Sequence, residues 1–198
     1  MPVRIVKIGG LAGLLAAILF IITAAIDQVA PIGLVYDSVN EYIYSAVSMV
    51  AFLAVVVAVV GVRALTSRSG KLERLSTVAA WLVGLGYGFV ALLNAINLIQ
   101  GERTLNTVRL GAALVMLIGS VILGVVVLLT RVLPWWSGVL LIVAFPLGHF
   151  ANAVFPSAEN VLYVLLWGSI GFALLRHAEV PAARLAPSQI PDVSQHVL

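Results

Sequence analysis

Six apolar stretches, each of about twenty residues, alternate with short polar segments along this chain. They run over about 8–26, 43–64, 78–99, 108–129, 134–155 and 160–176. A helix needs about 20 mostly apolar residues to cross the hydrocarbon core of a bilayer, so each stretch reads as one transmembrane span. The second, IYSAVSMVAFLAVVVAVVGVRAL, is rich in valine. Valine is a weak helix former in water, but in lipid the backbone must satisfy its own hydrogen bonds, and a helix does so within one segment. A transmembrane barrel would instead show alternating segments of about ten residues. The pattern predicts an all-α polytopic membrane protein, a bundle of six transmembrane helices over 1–176. The remainder, 177–198, carries Pro181, Pro187 and Pro191 among mixed polar residues and reads as a disordered cytoplasmic tail. Arg4 and Lys7 precede the first stretch. At about 19 residues it is longer than a signal-peptide core, and no clear A-x-A site follows, so it is expected to stay as an anchored helix.

Composition strengthens this picture. Of the 198 residues, 62% are hydrophobic and 10% charged, against roughly 25% charged in a soluble domain. Most of the surface must therefore face lipid. The formal net charge is +3, but the basic residues flank the spans. That favours the membrane reading over nucleic-acid binding. With the N-terminus inside, inner segments hold Arg4, Lys7, Arg63, Arg68, Lys71, Arg74, Arg131, Arg176 and Arg184, and outer segments hold Arg103 and Arg109. The asymmetry puts both termini in the cytoplasm. Trp135 and Trp136 then fall at the inner interface, and LTSRSGKLERLS reads as a basic connector near anionic headgroups. The first outer loop, DQVAPIGLVYDSVNEY, carries Asp27, Asp37 and Glu41 and no cation. It reads either as a solvated loop or as a mouth that attracts cations. The chain has no cysteine, which excludes disulfides, thiolate metal sites and cysteine nucleophiles.

Glycines suggest where helices approach. Gly9 and Gly13 in the first span, and Gly84 and Gly88 in the third, have the four-residue spacing that lets backbones come close. Tight packing inside one subunit is the first expectation and a dimer seam the second. Spans three and five also align from a tryptophan: WLVGLGYGFVALLNAIN (81–97) lies over WSGVLLIVAFPLGHFAN (136–152). Asn94 falls on His149 and Asn97 on Asn152. The match suggests a bundle of three stacked helical hairpins.

These polar residues concentrate at one depth. His149 lies past the middle of span five, roughly 6 Å to the outer side of the midplane, and Asn152 is one turn further. Asn94 and Asn97 occupy the outer half of span three. Thr23 and Asp27 end span one. Tyr44, Ser45 and Ser48 enter span two, Arg109 enters span four, and Glu159, Asn160 and Tyr163 enter span six. Polar groups in lipid are costly unless paired, so they tend to face the bundle interior. Pro146 is expected to kink span five just before His149. The expected ligand-binding set is His149, Asn152, Asn94, Asn97, Asp27, Glu41, Tyr44, Ser48, Arg109 and Tyr163, lining a polar pocket open to the outside. Against it stands the plainer reading that the histidine and asparagines only bond neighbouring helices.

Several chemistries lack their residues. Lys7 and Lys71 both lie at the inner edge, so no mid-membrane lysine can hold retinal. Among the histidines only His149 is within a span; His177 and His196 follow the last one, which is poor for haem or zinc. No cofactor or metal is expected. Rhomboid proteases also have six spans, but their GxSG motif is absent here. Ser137 and His149 share one predicted helix about 18 Å apart along its axis. No P-loop occurs. The segment LLTRVLPWWSGVLLIVAFPLG (128–148) resembles one in small uncharacterised bacterial membrane proteins. There an R-x-x-P-x-W turn, matched here by Arg131, Pro134 and Trp136, precedes an apolar, glycine-containing helix. The resemblance covers about 20 residues and implies a bacterial inner-membrane location and no activity. The leading expectation is binding or translocation of a small ligand or ion at the pocket. A non-catalytic subunit or assembly factor of a larger membrane complex is the alternative, and an intramembrane enzyme the third. Expected partners are the lipid bilayer, a small ligand or ion, and a membrane-protein partner or second copy, with no nucleic acid.

Overall fold

Lipid leaves each apolar stretch one simple way to satisfy its backbone, and every predicted span is a helix in the computed structural model. The structure describes residues 2–29, 36, 38–67, 70, 72–102, 106–152, 154–155 and 157–179. The helices are α1 (Pro2–Val29), α2 (Val39–Thr66), α3 (Glu73–Gln100), α4 (Asn106–Thr130), α5 (Trp135–Asn152) and α6 (Ala158–Glu179). All six are long and apolar enough to cross a membrane. At 28 residues, α2 and α3 are about 42 Å long. They exceed a hydrocarbon core of about 30 Å, a length that suffices for their ends to reach headgroup level.

The ends are set by local chemistry. The backbone N–H of Ser38 donates to Glu41 Oε2 at 3.0 Å, capping α2. Gly101 takes φ +70° and its N–H donates to the Asn97 carbonyl at 2.8 Å, closing α3 with a left-handed cap. α5 stops at Asn152, three residues short of its predicted end, and continues as helix through Pro146. α6 continues to Glu179, so 177–179 are helical rather than part of a tail. Residues 180–198 lie outside the described residues, as do Asp37, Arg68, Lys71 and Arg103.

Each helix packs against its neighbours in sequence, and α1 packs against α6 as well as α2, closing a ring of six. The predicted hairpins are thus not separate units. Glycine decides the closing seam. A Cβ on Gly9 would stand 2.6 Å from the Gly61 Cα, and one on Gly13 would stand 2.9 Å from the Gly171 Cα. Backbones that close admit no side chain between them. The Gly84 and Gly88 pair behaves otherwise. A Cβ on either would only just reach Val56, at 4.0 and 3.9 Å, and the tight glycine of α3 is Gly86, against Met116 of α4.

Large side chains fill the centre of the ring. Phe20, Phe52, Tyr87, Tyr163 and Trp167, from α1, α2, α3 and α6, make a chain of ring contacts with centroids 5.0–6.2 Å apart. Exposed leucine, isoleucine and valine cover the outside, as expected of a lipid-facing surface. The bundle has two faces. The terminal face carries the start of α1, the end of α6 and the α2–α3 and α4–α5 connections. The distal face carries the other three. Arg4, Lys7, Arg63, Arg74, Arg131 and Arg176 all belong to the terminal half, and Arg109 is the one described arginine or lysine of the distal half.

Candidate functional site

Five of the six helices turn one stripe of residues toward a common cavity in the distal half. α2 contributes Tyr44, Ser48 and Phe52 at steps of four. α3 contributes Val90 and Asn94, α4 Arg109, Ala113 and Met116, α5 Phe145 and His149, and α6 Glu159, Asn160 and Tyr163. Such spacings keep residues on one face of a helix. The cavity holds about 200 Å³, below the roughly 300–1,000 Å³ of sites for drug-sized ligands. Its polar groups sit toward the distal mouth, and Phe52, Val90, Met116 and Phe145 form an apolar floor. Phe52 and Tyr163 also belong to the central aromatic cluster, so the floor continues into Tyr87 and Trp167 toward the terminal half.

Two bonds organise the walls. Arg109 Nη2 donates to Asn94 Oδ1 at 2.7 Å, joining α4 to α3. Tyr163 OH donates to Glu159 Oε1 at 2.8 Å along α6. The wall thus contains a guanidinium, a carboxylate, an imidazole and the hydroxyls of Tyr44, Ser48 and Tyr163. His149 lies parallel to Phe145 with ring centroids 6.4 Å apart, and the side chain is exposed rather than buried. Gly148 lets α6 come close: a Cβ there would stand 3.0 Å from the Glu159 Cα. This approach brings Glu159 to the same wall as His149.

Arg109 sits in the first turn of α4, the positive end of the helix macrodipole, where cations are disfavoured. That placement runs against local helix chemistry. Conflicts of this kind are expected where function, not stability, selects the residue.

Of the ten residues singled out from the sequence, six line the cavity: His149, Asn94, Tyr44, Ser48, Arg109 and Tyr163. Four stand elsewhere. Asn152 is exposed at the last position of α5. Asn97 is 1% exposed, and its Nδ2 has no hydrogen-bond partner among the described residues. Asp27 is on α1, which contributes nothing to the wall, and its Oδ2 accepts from Ser157 Oγ at 2.8 Å at the start of α6. Glu41, 4% exposed, accepts from Ser38. Thr23 also turns inward on its own helix, donating to the Phe20 carbonyl at 3.0 Å. Glu159 and Asn160, noted from sequence only among the polar residues entering the sixth span, belong to the wall. The four-residue spacing of Glu159 and Tyr163 was the signal that could have placed them together. Ser48 and His149 line the same cavity, one from α2 and the other from α5.

The site can hold a small solute with hydrogen-bonding groups at one end and an apolar part against the floor. Comparison with known protein families, with curated proteins and with solved structures yields no match for this chain.

Proposed function

We propose that this multi-pass protein binds a small polar ligand in the distal cavity. We further propose that it lies in a bacterial plasma membrane with both termini in the cytoplasm and the cavity opening outward. The observation that carries this reading is the convergence of polar residues from five helices on one small cavity, with Arg109 held there against the α4 dipole by Asn94. Polar groups placed at membrane depth are costly, and their gathering around a cavity is the arrangement expected of a ligand or ion site. The orientation rests on the basic residues gathered at the terminal half. Binding is the primary activity proposed. Translocation would additionally require Phe52 and Tyr163 to part, since they stand in the floor.

The test is thermal unfolding of the detergent-purified protein with a panel of amino acids, mono- and dicarboxylates, short polyols and small amines at millimolar concentration. A ligand at ten times its Kd stabilises the folded state by about 1.4 kcal/mol, which is readable as a rise in Tm. At least one solute is expected to raise Tm in the wild type and not in Arg109→Gln. A panel without effect, or a rise that Arg109→Gln retains, overturns the proposal.

A further inference from the structure

The mismatch between the α3 glycines and their surroundings points to a second site, on the outer surface of the bundle. A groove of about 420 Å³ runs between α2 and α3 in the terminal half. Val56, Val60 and Arg63 form its α2 wall at helical spacing. Trp81, Gly84 and Leu85 form its α3 wall. The chain leaves the groove unfilled because Gly84 has no side chain and the nearest atom to a Cβ placed there would be Val56 Cγ1, 4.0 Å away. Trp81 is 65% exposed beside it.

The two ends of the groove differ. Toward the middle of the bundle it is apolar. At the terminal end stands Arg63, exposed, with its Nε donating to Thr77 Oγ1 of α3 at 3.4 Å. That bond ties the base of the guanidinium to the partner helix, and the side chain stays exposed. Arg74 follows on the Thr77 and Trp81 face of α3, one turn nearer the end. A cation at headgroup level, an indole beside it and an apolar slot running inward match one kind of molecule, an anionic diacyl phospholipid. Its phosphate meets Arg63, whose planar fork suits phosphate oxygens, and one acyl chain lies past Gly84. The charge favours an anionic over a zwitterionic headgroup, as expected where basic residues meet an anionic leaflet.

We propose that the α2–α3 groove binds an anionic phospholipid of the terminal-face leaflet, through Arg63 and the space left open at Gly84.

The experiment is native mass spectrometry of the whole chain, released from mixed vesicles of phosphatidylglycerol and phosphatidylcholine. The wild type should retain phosphatidylglycerol in preference, and Arg63→Gln should lower that preference about fivefold, the effect of about 1 kcal/mol per cation near the surface. Gly84→Leu, which fills the groove, should reduce retention of both lipids. Gly84→Ala has room for its methyl and serves as the folded control. Equal retention of the two lipids by the wild type, or a preference unchanged in Arg63→Gln, overturns the proposal. So does a wild-type dimer that Gly84→Leu converts to monomer, which would assign the groove to a second copy of the chain.

Discussion

Arg109 donates from Nη2 to Asn94 Oδ1 at 2.7 Å, holding the guanidinium against α3 at the wall of the distal cavity. The bond joins the start of α4 to the outer half of α3 across the hairpin. It also explains how α4 tolerates a cation in its first turn. A hydrogen bond to a charged group contributes about 1.5–3 kcal/mol, more than the roughly 0.3–1 kcal/mol dipole penalty at a helix end. In a double-mutant cycle of Arg109→Gln and Asn94→Ala, a coupling of at least about 0.5 kcal/mol is expected. Additive losses in Tm would show that the pair does not act together.

A cavity this small should be easy to close. Ala113 lines it on α4 between Arg109 and Met116. Ala113→Leu is expected to abolish the Tm rise given by any bound solute while the protein still elutes as a folded species. Full ligand stabilisation in Ala113→Leu would place the ligand elsewhere.

The closing seam gives a contrast between glycines. A Cβ on Gly61 would stand 2.8 Å from the Gly9 Cα, whereas one on Gly84 would only just touch Val56 Cγ1, at 4.0 Å. Gly61→Ala should destabilise by about 1–3 kcal/mol, as overpacking does. Gly84→Ala should change stability by less than about 0.5 kcal/mol. Thermal denaturation of the two variants in one detergent checks this, and equal losses would count against the seam.

Asp27 joins α1 to the start of α6 rather than the cavity mouth. Asp27→Asn keeps an acceptor for Ser157 and should be mild, while Asp27→Ala should cost about 0.5–1.5 kcal/mol. Neither should alter solute binding. A Kd raised tenfold in Asp27→Asn would return the carboxylate to the site.

The chain has no cysteine, so orientation can be read from single introduced thiols. Asn152→Cys, exposed at the distal face, should react in intact cells with a membrane-impermeant maleimide. Arg74→Cys, exposed at the terminal face, should react only after lysis. The reverse pattern would invert the topology.

The six helices and the gathering of basic residues at one face were legible from the chain alone. Both depend on one coordinate, depth in the bilayer, and depth is written in the length of apolar runs and in the charges between them. The polar band was legible for the same reason: Asn94 and His149 were matched in depth by aligning Trp81 with Trp136, and both reach the cavity. What the sequence could not supply was direction around each helix axis. In a helix that is apolar nearly all round, lipid-facing and core-facing sides look alike, and the usual amphipathic signal is weak. Hence Asn97 and Asn152, each three residues beyond a cavity residue, were grouped with the site and lie off it. Asp27 and Glu41 were read as charge at a mouth, yet each is bound to a neighbouring serine. The glycine spacing was equally ambiguous. The same four-residue interval marks closed backbone contacts at Gly9 and Gly13, whereas Gly84 borders an open groove and a Cβ on Gly88 would lie 3.9 Å from Val56. Only the ring of helices, closed by α1 against α6, decides which side of each span faces its neighbours, and with it which polar groups meet.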